Sequence, residues 1–334
     1  MDQKGVKHEI TSANVCHTFY HAYIACLKEL DRPEEERGEA TLLLSSMSND
    51  FGTLQERAAE SGLFELVLPF DEKEESFFKE LAPLHRDRGN LILNMLQRIR
   101  FTRKFGKLLE PYIPVDFKAY QEIYVFCDSD PIGYYLSTHR IPYHALEDGL
   151  DCIRYYDTAR YDNRGHFELK AWMAAHNLIF IQNGYSKYCI DMEVNSIEAL
   201  DYPISKMREV PREKLVEGLD EEGRRKLIRL FIENREDLER ALQKAGDEEK
   251  PVSLILTEPL CRDLAMREKL FRDMIREYAG DGVVLIKPHP RDVLDYRKLF
   301  PEYIVLDGAF PMEILNFVCA DLGMEFERVV TVYT

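Results

Sequence analysis

The segment best equipped for chemistry is Ile286-Lys287-Pro288-His289-Pro290-Arg291. Its two prolines bracket the histidine and stiffen the backbone, because each fixes its own φ and restricts the residue before it. An imidazole held at a strand end, beside a lysine, an arginine and a helix start, suits an anion. An imidazolium there would bond a phosphate and neutralise it as it leaves. The plain alternative is a turn histidine bonded to a backbone carbonyl. A second segment is Glu147-Asp148-Gly149. Two acids and a glycine suit a tight turn, and adjacent carboxylates oppose each other's ionisation, which lifts one towards use as a base. Asp263, in Pro259-Leu260-Cys261-Arg262-Asp263, is a further base candidate whose other reading is the N-cap of the next helix. Asp128-Ser129-Asp130 has the spacing that holds Mg²⁺ or Mn²⁺ on a sugar diphosphate, and also that of an ordinary turn before Pro131. Asn183-Gly184-Tyr185 is another turn of this kind. His17, His21, Trp172 and Tyr155–Tyr161 read either as sugar contacts or as packing residues.

Strands and helices must bring these loops together. Apolar runs of strand length alternate with longer helical stretches, which predicts an α/β fold with parallel sheets. The first half gives strands at Asn14–Phe19, Thr41–Ser45, Phe64–Pro69, Ile123–Cys127, Tyr143–Leu146 and Leu178–Gln182, with helices at His21–Leu30 and Gly52–Ser61. The second half gives strands at Ser253–Thr257, Val283–Lys287, Ile304–Leu306 and Val329–Tyr333. Its helices are Ala265–Tyr278, Asp292–Phe300 and Pro311–Cys319. A polar stretch rich in Glu, Arg and Lys lies between the halves. The expected division is 1–206, a charged helical linker 207–250, and 251–334. The expectation is two Rossmann-like, doubly wound domains facing a central cleft, with polar residues just beyond the strand ends forming the site. The chain stops on the last strand, so the second domain reads as lacking its final helix.

The 334 residues carry 44 Lys and Arg against 60 Asp and Glu, a formal charge of −16. Such a chain is a poor general binder of nucleic acid, and any anionic ligand must meet a local basic pocket. Seven scattered cysteines without CxxC spacing favour neither a zinc site nor a disulfide frame. No apolar run is long enough to cross a bilayer and no secretory signal is evident, so a reduced, cytoplasmic protein is expected. Leu91–Leu109 is apolar on one side and carries Arg98, Arg100, Arg103, Lys104 and Lys107. It is either a peripheral contact with anionic lipid at the inner face of the membrane or a helix packed on the core or a partner.

The pairing of Glu147-Asp148-Gly149 with His289-Pro290 resembles the acidic-pair-glycine and His-Pro motifs of the bacterial sialyltransferases. The opening Val15-Cys16-His17-Thr18-Phe19-Tyr20-His21, with Leu27-Lys28, is similar to the first strand and helix of glycosyltransferase family 52, the lipooligosaccharide sialyltransferases. Leu256-Thr257-Glu258-Pro259-Leu260 and Phe310-Pro311-Met312-Glu313-Ile314-Leu315 resemble segments of its second domain. The resemblance implies a GT-B fold, a CMP-sialic acid donor, a galactose-terminated glycan or glycolipid acceptor, inversion at the anomeric carbon, and no cofactor. By it, Asp148 is the base and His289 serves the leaving phosphate. Glu313 holds the ribose hydroxyls. Thr257 and Pro259 line the nucleotide pocket, which also takes in Lys287, Pro290 and Arg291. Only Thr334 stands where a phosphate-binding Ser-Ser or Ser-Thr pair belongs. Competing readings are a metal-dependent GT-A transferase built on Asp128 and Asp130, and a degenerate nucleotide-binding module. The uncovered final strand suggests a homodimer.

Overall fold

A computed structural model describes residues 11–128, 131–149, 165–200, 202–233, 235–247, 250–279 and 282–332. Asp130, Cys152, Tyr155–Tyr161 and Thr334 lie outside the described residues. The chain divides into two compact units, Met1–Leu219 and Asp220–Thr334.

Among the described residues the first unit carries seven strands: β1 Ser12–Cys16, β2 Ala40–Ser45, β3 Leu66–Phe70, β4 Glu122–Phe126, β5 Tyr143–Leu146, β6 Cys189–Val194 and β7 Met207–Glu209. They form one parallel sheet in the order β3-β2-β1-β4-β5-β6-β7. Every residue of β1 and β2 is buried, as a parallel sheet covered on both faces demands. Pro69, which lacks an N–H, sits on the edge strand β3 opposite Leu44. Among the described residues its helices are α1 Phe19–Asp31, α2 Leu54–Glu60, α3 Leu91–Leu108, α4 Ile132–His139, α5 Phe167–Ala175 and α6 Arg212–Glu217. Thr18 caps α1, its side chain accepting the His21 N–H at 3.1 Å. The chain winds outward through β2 and β3, then returns to place β4 against the other side of β1. That reversal is the switch point at which ligands settle in open parallel sheets.

The second unit has the parallel order β10-β9-β8-β11, built from β8 Val252–Leu256, β9 Val283–Lys287, β10 Ile304–Val305 and β11 Arg328–Val330. Its helices are α7 Glu221–Phe231, α8 Arg235–Asp247, α9 Leu264–Tyr278, α10 Tyr296–Leu299 and α11 Glu313–Asp321. Phe271, Ile275, Ile286, Tyr296 and Phe300 lie at its centre.

Leu178–Gln182 and Asp292–Phe300 depart furthest from the form the sequence predicts. Leu178–Gln182 is not a strand, although Ile179, Phe180 and Ile181 are buried. Phe180 packs on Tyr134 of α4, with ring centroids 4.7 Å apart, and its N–H donates to Thr102 Oγ1 of α3. The run therefore fills the helical layer, and the sixth strand is β6. In the second unit, Asp292–Phe300 contains only the single turn α10. Asp292 is occupied as an anchor: it pairs with Arg267 and accepts from the Tyr296 hydroxyl at 2.8 Å. The polar stretch 207–250 holds β7 and three helices. β7 pairs with β6, and α7 packs on α11.

α3 and α4 cross so closely that a Cβ on Gly106 would lie 2.1 Å from Thr138 Oγ1 and 2.6 Å from the Tyr134 carbonyl oxygen. Gly106→Ala should destabilise the protein by about 1–3 kcal/mol, despite alanine's better helix propensity. Urea unfolding checks this, and an unchanged midpoint would show that the crossing can relax.

Candidate active site

In the first unit the strand ends converge on two histidine–carboxylate pairs. The His21 ring is buried and stacks on Phe126 at the end of β4, with centroids 3.9 Å apart and planes within 1°. Its Nδ1 accepts the backbone N–H of His17 at 3.1 Å. A neutral ring must then carry its proton on Nε2. That nitrogen donates to Asp148 Oδ1 at 2.5 Å. Burial lowers the His21 pKa, against the opposing pull of Asp148, so the ring is a neutral donor near pH 7. The Asp148 side chain is 41% exposed, and its Oδ2 has no hydrogen-bond partner among the described residues.

The second pair is His17 with Glu72, 2.7 Å apart and buried. The same Glu72 oxygen accepts from Ser45 at the end of β2, and the other accepts the Ile132 N–H at the start of α4. One carboxylate thus ties together segments that follow β1, β2 and β4. Such a network fixes a platform because each polar group has its partner.

The Glu147-Asp148-Gly149 turn divides its two acids between different tasks. Glu147 is buried, and its Oε2 accepts the Asn195 N–H at 2.6 Å beyond β6. Asp148 is the exposed member. Gly149 has φ +149°, which L side chains rarely adopt, so the turn needs its glycine.

Asp128 is fully buried. It accepts from the Tyr143 hydroxyl at 2.9 Å and from the Gly184 N–H at 3.2 Å. Its carboxylate anchors the Asn183-Gly184 turn rather than opening outward as the metal-dependent reading expects. Burial pushes its pKa up to about 6. Among the described residues no cluster of three His, Cys, Asp or Glu side chains has the geometry to hold a metal ion. Among the described residues, Cys16, Cys26, Cys189, Cys261 and Cys319 are free thiols.

In the second unit the predicted residues gather beyond the strand ends of β8, β9 and β10. The His289 N–H donates to Thr257 Oγ1 at 3.1 Å, joining the loops after β8 and β9. His289 Nδ1 accepts the Arg291 N–H at 3.1 Å, so its neutral ring also carries the proton on Nε2. Burial, with Arg291 and Lys287 as neighbouring cations, lowers its pKa. The imidazolium of the sequence reading is therefore a neutral donor near pH 7 in the ligand-free protein. Lys287 is buried, its Nζ donating to the Gly308 carbonyl at 3.3 Å and lying 4.7 Å from the centre of the Phe310 ring. Burial brings its pKa down to about 8, against the opposing charges of Glu313 and Asp307. Glu313 opens α11. Pro259, Pro290 and Arg291 are exposed in the same loops. Asp263 caps α9, accepting from the N–H groups of Ala265 and Met266 at 3.0 and 3.2 Å.

His21 was the residue whose part sequence reasoning left open. His17 and His21 fall at the junction of the first expected strand and helix, but the partner carboxylate stands 127 positions away.

Two successive parallel α/β units, each with a polar edge beyond its strands, have the make-up of the GT-B transferase class. Residues 86–333 match glycosyltransferase family 52, and the chain belongs to that family. An uncharacterised Haemophilus influenzae protein is 34% identical over 85 residues, spanning 24% of this chain and 26% of that protein. Among solved structures, the S. aureus MnaA–UDP complex covers 92% of this chain and 70% of its own, at 12% identity and a TM-score of 0.42. The Neisseria meningitidis UDP-GlcNAc 2-epimerase bound to UDP-GlcNAc gives the same identity, score and coverage of this chain, with 74% of its own. Likenesses this distant transfer neither a ligand nor a reaction.

Because the folded-state pKa of Asp128 is raised from 3.8, the native state holds this proton more tightly than the unfolded chain. The resulting stability is fully present below about pH 4 and is lost as pH rises through about 6. Relative to Asp128→Asn, which cannot titrate, the parent should lose up to about 3 kcal/mol across that window. Denaturant midpoints of both proteins from pH 4 to 7 check it (expected range set by the two pKa values). A flat difference would contradict the assignment.

Proposed function

We propose that the protein transfers sialic acid, or a close nine-carbon relative, from a CMP donor to a glycan hydroxyl with inversion. Family membership supports a sialyltransferase-type enzyme. The observation that carries the catalytic reading is the His21–Asp148 pair. A buried, neutral imidazole holds one oxygen of the carboxylate and leaves the other open. In this reading the open oxygen takes the acceptor proton as the new glycosidic bond forms. The bond from the anomeric carbon to the phosphate breaks, and CMP leaves. His289 Nε2–H donates to the departing phosphate, and Lys287 supplies positive charge beside it. Glu313 holds the ribose hydroxyls, while Thr257 positions the His289 loop. An oxocarbenium-like transition state makes a single carboxylate base sufficient. The acceptor would be a galactose-terminated glycan or glycolipid.

The low pKa of Lys287 gives the donor site a pH signature. An anionic phosphate favours the charged amine, so CMP affinity should fall as pH rises through about 8. Calorimetry in buffers of different ionisation heat should show proton uptake on CMP binding near that pH. Binding without proton exchange would place the phosphate elsewhere.

Asp148→Asn should reduce transfer by about 10²–10⁴-fold while CMP still binds. His289→Ala should impair turnover comparably with the fold intact. Sialic acid transfer from CMP-sialic acid to galactose-terminated acceptors is the assay. Near-parental rates in both variants would sink the mechanism. Loss of transfer in Asp263→Asn alone would assign the base to Asp263 instead.

A further inference from the structure

His289 is held from beneath by a chain of buried polar groups that reaches back to α9. Its backbone N–H donates to Thr257 Oγ1 at 3.1 Å. The Thr257 hydroxyl donates in turn to the Tyr296 oxygen. The Tyr296 hydroxyl gives its own proton to Asp292 Oδ2 at 2.8 Å, because an ionised carboxylate only accepts. The other Asp292 oxygen pairs with Arg267 and accepts the Leu294 N–H at 3.1 Å. Each hydroxyl thus accepts one bond and donates one, so the proton direction is fixed along the whole chain.

Thr257, Arg267 and Tyr296 are buried, and no part of the Asp292 carboxylate meets solvent. A buried ion pair adds little stability over apolar side chains of the same volume, so its presence calls for another reason. The geometry gives one. Arg267 also donates to the Cys261 carbonyl, so a single guanidinium holds the loop after β8 and, through Asp292, the loop after β9. The Asp292 N–H donates to the His289 carbonyl at 2.9 Å, and the Arg291 N–H occupies Nδ1. With its N–H, carbonyl and Nδ1 all engaged, His289 keeps only Nε2–H without a partner among the described residues.

We propose that Tyr296, Asp292 and Arg267 are positioning residues for transfer, acting through Thr257 and the loop backbone to aim the His289 Nε2–H at the departing phosphate. The inference rests on His289 serving that phosphate. None of the three touches the substrate. Their part is to hold a donor where charge develops, so that the loop needs no rearrangement as the bond to phosphate breaks.

The test uses the full chain. Tyr296→Phe removes one hydroxyl and keeps the ring, which packs against Phe271 and Phe300 with centroids 5.8 and 5.9 Å away. Its kcat for sialic acid transfer should fall about tenfold, with the donor KM changed less than about threefold, because orientation is lost rather than binding. Two-bond proton–nitrogen NMR spectra read the ring directly, the His289 signal being assigned by its loss in His289→Gln. The parent should show a single Nε2–H tautomer. The variant should show a mixture of tautomers, with a titration midpoint moved up towards the ordinary 6.5, since a looser ring is better solvated. Thr257→Val cuts the same chain one link nearer and should give the same ring signature. A parental ring spectrum in Tyr296→Phe, or a parental kcat in an active enzyme, overturns the proposal even if Tm falls. If the parent transfers no sialic acid while the variant's ring signal moves as described, the proposed reaction fails and the positioning of His289 stands.

Discussion

Among the described residues, a backbone N–H bonded to Nδ1 of a histidine that follows a strand occurs once in each unit. His17 supplies it to His21, and Arg291 supplies it to His289, both at 3.1 Å. The bond is short-range, yet it dictates which ring nitrogen carries the proton. With Nδ1 occupied, each neutral ring presents an Nε2 donor. In the first unit that donor meets Asp148. In the second, the proposed chemistry needs such a donor for the departing phosphate. The surroundings explain why the rings stay neutral: His21 is buried against Phe126, and His289 is partly buried beside two cations.

The parallel sheet makes these local bonds productive. All seven strands of the first unit run the same way, so every β-to-α connection emerges at one edge. Residues as distant in sequence as His21 and Asp148 become neighbours there without a long excursion of chain. Glu72 reinforces the arrangement by bonding to His17, Ser45 and Ile132. Carboxylates at this edge are thereby sorted by environment. Glu72, Glu147 and Asp128 are buried and engaged in holding loops, and Asp148 alone of these four is exposed to reach a substrate.

Where local pattern and tertiary need coincide, the sequence is a good guide. Tyr143–Leu146 and Val283–Lys287 fall on the observed strands because short apolar runs are bounded there by turn-forming residues. Of the polar residues singled out, Lys287 closes β9, and Thr257, His289 and Glu313 follow strands. Pattern fails where packing partners decide. Leu178–Gln182 is apolar enough for a strand but serves the helices. Cys189–Val194 was passed over because Asp191 and Glu193 interrupt it, and their carboxylates are paired with His144 and Lys28. The His21–Asp148 contact was out of reach for a different reason. It depends on strand order, which no local periodicity encodes.

The proline on β3 has a consequence for how the molecule meets its own kind. An outermost strand ordinarily offers a ladder of unused amide donors, an invitation to intermolecular sheet growth. Pro69 removes one rung from that ladder, opposite Leu44. A foreign strand approaching this margin would find an interrupted template, so the first unit carries a safeguard against fibrillar stacking in the backbone itself.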